Sequence, residues 1–354
     1  MTVDVVLHIG CDKTGTTSIQ QFLRRNRAAL RAQGCLYPRT PGPVRHSDLS
    51  LYARSDDRLV GSRLWQRSER PAPDQFRRRL RRRLLQEVTR SGAPTVVLSD
   101  EALYKLSPDS IERLHGLVDD LAGTVRVVVY VRRQDEHLVS SYQQAVKVGQ
   151  VADFATWARK DFTGVYDYAG WLASWQRRFA PVELAIRPFE RQRFHQGSLV
   201  QDFLRSAGVD VDPTDLRPVE ERNESLGAES VEMLRILNLY RVEHEGAQRH
   251  LISNRQHVKR LRQAPQGPQV TLPAADLDRF MARWAESNRR VARELLGDRT
   301  GELFKTPRRT GDTTTEQVLD PARLDFYLPL LEIPEEQHPA IRAIAEREAA
   351  RPRA

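Results

Sequence analysis

Between Val5 and Ser18 the chain reads Val-Val-Leu-His-Ile-Gly-Cys-Asp-Lys-Thr-Gly-Thr-Thr-Ser, and no other stretch limits its fold so strongly. A β-branched apolar run meets a Gly/Thr loop, and Ile19, Phe22, Leu23 and Leu30 then recur at helical spacing, which predicts a strand, a tight turn and an amphipathic helix. A helix entered in this way presents unpaired backbone N–H groups and the positive end of its dipole beyond the strand. With two glycines, four hydroxyl side chains and Lys13 alongside, that end suits an anionic group such as a phosphate. The order differs from the G-x-x-x-x-G-K-[ST] nucleotide loop, because Lys13 precedes Gly15 instead of following it.

A second segment, Val125 to Tyr142, has the same plan. Its near-continuous β-branched run reads as a strand buried on both faces of a parallel sheet, and it ends in Arg132 and Arg133 before a helical pattern begins. In open α/β sheets ligands sit beyond the carboxyl ends of the strands, so Arg133 and Ser141, eight residues on, are expected to converge on one phosphate. Arg132 and Ser140 carry the same spacing one residue earlier.

Thr95 to Ser99 is a third short apolar run, and it delivers Asp100 and Glu101 to the same edge. Two uses of that acidic pair compete. In a nucleotide hydrolase or kinase Asp100 would hold Mg²⁺ beside ATP. In a transferase acting on hydroxyl groups one of the pair would be the general base, already ionised at neutral pH.

The loop order K-[ST]-G-T-T and the later R-x7-S-[YF] resemble the 5'-phosphosulfate and 3'-phosphate motifs of sulfotransferases that use 3'-phosphoadenosine 5'-phosphosulfate (PAPS) as sulfuryl donor. The strongest likeness is to bacterial members that modify carbohydrates. The resemblance implies an α/β fold with a P-loop-like three-layer core around a central parallel sheet, and a helical C-terminal addition. It implies that Lys13 stabilises the departing phosphate, that Thr14, Gly15, Thr16, Thr17 and Ser18 hold the 5'-phosphate, and that Arg133 and Ser141 hold the 3'-phosphate. Phe189 falls where the family has an aromatic near adenine, and Glu101 falls where the cytosolic members have a histidine base. The acceptor would be a carbohydrate or glycolipid hydroxyl, and the transfer would need no metal. The family's C-terminal R-K-G-x-x-G-D-W loop is missing, Arg308 to Asp312 being its nearest counterpart, and Asp12 replaces a usual proline. The element Arg222-Asn223-Glu224-Ser225-Leu226 is similar to one found in bacterial members.

Length and composition fit such an enzyme. With 354 residues, 40% hydrophobic, the chain can bury a sizeable core, and two cysteines supply no disulfide framework. Expected divisions are a PAPS-binding core over residues 1–212, a helical region over 213–300 covering the acceptor site, and a segment over 301–354 that completes the core and ends in a charged, frayed tail. His46, Tyr166 and Tyr168, with neighbouring tryptophans, are expected to line a sugar site. The formal charge is +9, and Arg77 to Arg83 holds six arginines in seven positions. Phe76, Leu80, Leu84 and Val88 recur beneath them at helical spacing, so this is an amphipathic helix with a basic solvated face. No nucleic-acid motif accompanies it, and no nucleic-acid partner is expected. With no charged-then-apolar leader and no apolar run long enough to span a bilayer, a cytoplasmic enzyme with at most peripheral membrane contact is expected.

Overall fold

Five strands, β1 (Val3–His8), β2 (Cys35–Leu36), β3 (Thr95–Ser99), β4 (Ala122–Val131) and β5 (Glu183–Pro188), form one sheet in the order β2-β3-β1-β4-β5. Every pairing in it is parallel. The computed structural model describes residues 3–66, 69–180, 182–219 and 225–351. Strands of β1, β3 and β4 are almost wholly apolar because both of their faces are covered. Val5, Leu7, Val96, Leu98, Val127 and Val129 pack into one core, against helical residues such as Leu84, Leu114 and Trp175. The alternate residues Val6, Val97, Val128 and Tyr130 pack into another, against Ile19, Phe22, Phe203 and Leu204. The period of two along each strand thus divides a single apolar run between two layers of helices.

Two compact units result, each discontinuous in sequence. The first comprises Met1–Arg133, Thr163–Glu221 and Glu286–Thr306 and contains the whole sheet. The second comprises Gln134–Phe162, Arg222–Ala285 and Pro307–Ala354. The region expected over 213–300 is therefore shared out: Val291 and Ala292 lie in the core of the sheet unit, while the helix Ala228–Glu243 belongs to the second. The helical addition is not purely C-terminal either, since it draws in the helix Gln134–Lys147.

Within the second unit the helix Ala228–Glu243 is buried on nearly every side. Arg235 on it is buried and pairs with Glu232 at 2.5 Å and with Glu348 at 2.9 Å, and it also donates to the Val151 carbonyl. Glu348 stands on the helix His338–Ala349, which buries Ile341, Ile344 and Ala345. The end of the chain up to that point is therefore an ordered helix and not a frayed tail, because its apolar residues recur at three- and four-residue steps and have a helix to pack on.

Candidate phosphate-loop site

The carboxyl ends of β1, β3, β4 and β5 share one edge of the sheet. After β1 the chain turns through Lys13, whose φ is 63°, and Gly15, whose φ is 73°, and then enters α1 (Thr16–Arg25). Left-handed backbone at two nearly adjacent residues is the kind of turn in which successive N–H groups can form an anion-binding nest. Gly15 is required there: besides its φ, a Cβ would stand 2.2 Å from Leu199 Cδ2 and 3.3 Å from the Phe189 ring. Helix α1 has no side-chain cap and no acid in its first turn, so no side chain of its own start offsets the positive end of its dipole.

The hydroxyls of the loop divide their work. Thr14 and Thr16 are buried and both donate to the Cys11 carbonyl, at 2.6 and 3.3 Å, so they fasten the turn from within. What they can offer a ligand is backbone N–H. Thr17 is exposed and Ser18 half-buried, which leaves these two as the outward hydroxyls.

Beneath the loop lies a buried polar cluster that the sequence did not flag. His8 Nδ1 is 2.8 Å from the Ser99 hydroxyl, to which Gln20 also donates, and His8 Nε2 is buried with no hydrogen-bond partner. Burial pushes the His8 imidazolium down to about 3. It is therefore a neutral ring in the floor of the loop.

Of the two arginines after β4, Arg132 reaches the loop. Its guanidinium donates to the Lys13 carbonyl at 3.0 Å and lies over the Phe189 ring, 5.6 Å from the centroid. Arg133 is buried and donates at 2.6 Å to the Thr306 carbonyl, while Glu190 accepts from the Thr306 N–H. Arg133 thus clamps a backbone segment. The Ser141 hydroxyl, expected to share a phosphate with Arg133, donates to the Leu138 carbonyl of its own helix. Of the two expected arginines, it is Arg132 whose guanidinium meets the phosphate loop.

After β3, Asp100 is buried and caps the following turn by accepting from the Ala102 N–H, whereas the Glu101 side chain is about one-third exposed. Arg45, a residue no motif pointed to, bridges them: it is 2.6 Å from Glu101 Oε1 and 3.3 Å from Asp100 Oδ1. Burial raises the Asp100 carboxyl to about 6, with Arg45 opposing that rise. An ion pair between Asp12 and Lys105 ties the phosphate loop to the turn that carries Glu101.

Three expected acceptor residues are elsewhere engaged. His46 is fully buried, its Nδ1 accepting from the Ser99 N–H and its Nε2 donating to the Pro38 carbonyl, and burial lowers its imidazolium to about 3. Tyr168 is buried and donates to the Arg132 carbonyl at 2.5 Å, and Tyr166 is buried as well. Tyr168 thereby holds the Arg132 backbone, and all three side chains are buried and do not line an open sugar site. Arg308 pairs with Asp278 in the second unit at 2.6 Å, and Arg222, Asn223 and Glu224 lie outside the described residues. Among the described residues no helix is long and apolar enough to cross a membrane.

The fold therefore defines an open parallel α/β protein whose central strand, β1, leads through a left-handed turn into α1. No family model matches the chain, and no solved structure matches it. It is similar to an uncharacterized protein of Archaeoglobus fulgidus, at 30% identity over 143 residues, which is 40% of this chain and 38% of the relative's own length.

Proposed function

We propose that the protein is a PAPS-dependent sulfotransferase with a P-loop-like core, acting on an acceptor hydroxyl of a carbohydrate or glycolipid. The observation that carries this reading is the nest formed by left-handed Lys13 and Gly15 at the uncapped start of α1, with the Arg132 guanidinium fastened to it. The donor supplies the sulfuryl group: the bond from sulfur to the bridging phosphate oxygen breaks as the bond from sulfur to the acceptor oxygen forms. Lys13 and the inward N–H groups stabilise the charge left on that phosphate oxygen. Arg132 binds a further phosphate of the nucleotide, and the Phe189 ring beneath it offers a face for the purine. Glu101, aligned by Arg45, takes the acceptor proton. The reading requires no metal, because the sulfuryl group carries less charge than a γ-phosphoryl group. The kinase or hydrolase reading is weaker, since Asp100 is buried against Arg45 and not open to Mg²⁺.

Thermal unfolding in the presence of nucleotides separates the two. Adenosine 3',5'-bisphosphate at about 100 times its Kd should stabilise the protein by about 2.7 kcal/mol, and ATP with Mg²⁺ should have little effect. The opposite preference would overturn the sulfotransferase reading.

A further inference from the structure

The surface beside α1 holds two neighbouring grooves of about 600 and 530 Å³. Arg24, Arg25, Arg27 and Arg39 line the first, with no carboxylate among its lining residues. Arg31, Arg83 and Arg90 line the second with Glu87. Glu87 is already engaged, accepting from the Arg39 and Thr40 N–H groups and from the Thr40 hydroxyl. The grooves adjoin: consecutive residues Arg39 and Thr40 line one each, and so do Arg27 and Arg31, one turn apart on α2 (Arg27–Ala32). Where these guanidiniums do bond to the chain, they bond to neutral carbonyls, Arg25 to Pro218 and Arg27 to Tyr37 and Pro38. Among the described lining residues, seven arginines thus follow one track, with the engaged Glu87 as their carboxylate.

The track leads to the candidate site. Gln21, in the first groove, lies one helical turn beyond Thr17 on α1. Pro43 and Val44 form another wall, and the next residue is Arg45, which holds Glu101. The Tyr37 hydroxyl fixes that wall by donating to the Val44 carbonyl at 2.7 Å.

We propose that this arginine track seats a linear anionic glycan, carrying carboxylate or sulfate groups at intervals, and presents one of its hydroxyls to Glu101. That it seats the acceptor rests on the sulfotransferase reading; that it binds a polyanion does not. A nucleic acid is a poorer occupant, because neither groove includes an aromatic residue on which a base can stack. A membrane surface is poorer too, because the arginines line concave grooves and not a flat face with an inserting apolar rim.

Titration with a fluorescent oligogalacturonate tests the proposal. Wild type and Lys13→Ala should bind it alike, while the exposed pairs Arg24→Glu/Arg39→Glu and Arg31→Glu/Arg90→Glu should each weaken binding by about tenfold and reduce its salt dependence. Should a charge reversal unfold the chain, the same pairs changed to Gln serve. Unaltered binding by either pair, no binding by wild type that still takes adenosine 3',5'-bisphosphate, or tighter capture of oligothymidylate or of phosphatidylserine vesicles would each overturn the anionic glycan. Binding through these arginines by a protein that does not take adenosine 3',5'-bisphosphate would support the track and overturn the sulfotransferase.

Discussion

Glu101 and Asp100 are adjacent carboxylates with opposite surroundings, and under the proposed transfer reaction that difference separates their expected roles. Glu101 is partly open and pairs closely with Arg45, whereas Asp100 is buried, caps a turn and is raised toward neutrality by its burial. Glu101→Gln should therefore keep nucleotide affinity and lose about 10²- to 10⁴-fold in turnover, the range for a positioned proton acceptor. Asp100→Asn should keep most of its turnover, and a reversed ranking in steady-state assays would transfer the role of base to Asp100. The two arginines after β4 differ in the same way. Loss of Arg132 removes a charge fastened to the phosphate loop and should weaken adenosine 3',5'-bisphosphate binding by about 10- to 100-fold, the value of a charge-assisted hydrogen bond. Loss of Arg133 orphans the Thr306 carbonyl and should lower stability by about 1–3 kcal/mol with affinity nearly unchanged. Calorimetry and denaturation on the two alanine variants separate these outcomes. Equal affinities would remove Arg132 from the nucleotide site.

Among elements, the helices Ala228–Glu243 and His338–Ala349 of the second unit share a buried cation, Arg235. Arg235 neutralises Glu232 and Glu348 at once, and all three side chains are at most 7% exposed. Removing the guanidinium leaves Glu232 buried without a cation, while Glu348 keeps Arg347 and Arg351, and an uncompensated buried charge costs more than the pair contributed when intact. Arg235→Ala should lower unfolding free energy by about 3–5 kcal/mol, read from urea midpoints, and a shift below about 1 kcal/mol would mean that these helices hold by apolar packing alone. Helix α1 shows the opposite economy. Its start carries neither a cap nor an acid, so stability that a Ser or Asp cap would add is given up to keep N–H groups available. The turn before it is held instead by Thr14 and Thr16 on the Cys11 carbonyl.

At the scale of the molecule, the buried titratable groups set an acid limit. His8 and His46 are lowered to about 3 by burial, so the unfolded chain takes up their protons first, and their contribution is present above about pH 6.5 and lost as pH falls toward 3. Asp100 runs the other way: raised to about 6, it contributes below its ordinary value and loses that contribution as pH rises through about 6. His257, lowered by burial to about 4, acts in the same sense, and between pH 6 and 4 Asp100 offsets one of these three histidines. Wild-type stability should therefore fall as pH falls, and Asp100→Asn should steepen that fall by about one proton, about 1.4 kcal/mol per pH unit. Guanidinium denaturation over that range measures both, and identical slopes would mean that Asp100 is ionised in the folded protein at acid pH.

The sequence by itself determined what depends on near neighbours. The β-branched runs and the helical spacing of Ile19, Phe22 and Leu23 marked the strands and α1, and Gly15 marked a turn that only a residue without Cβ can complete. A parallel α/β sheet with a tight turn between β1 and α1 followed from those patterns, because strand periodicity, glycine freedom and helix spacing are local properties. Tertiary structure alone decided which side chains serve that loop. Arg132 and Arg133 are alike in sequence, and they part only because one meets the Lys13 carbonyl and the other the Thr306 carbonyl, far along the chain. His46 read as a site residue until Ser99 and Pro38 took both its ring nitrogens, and Arg45 carried no signal until β3 brought the acidic pair beside it. A polar side chain's role is set by which partners the fold brings within about 3 Å of it, and most of those partners are distant in sequence.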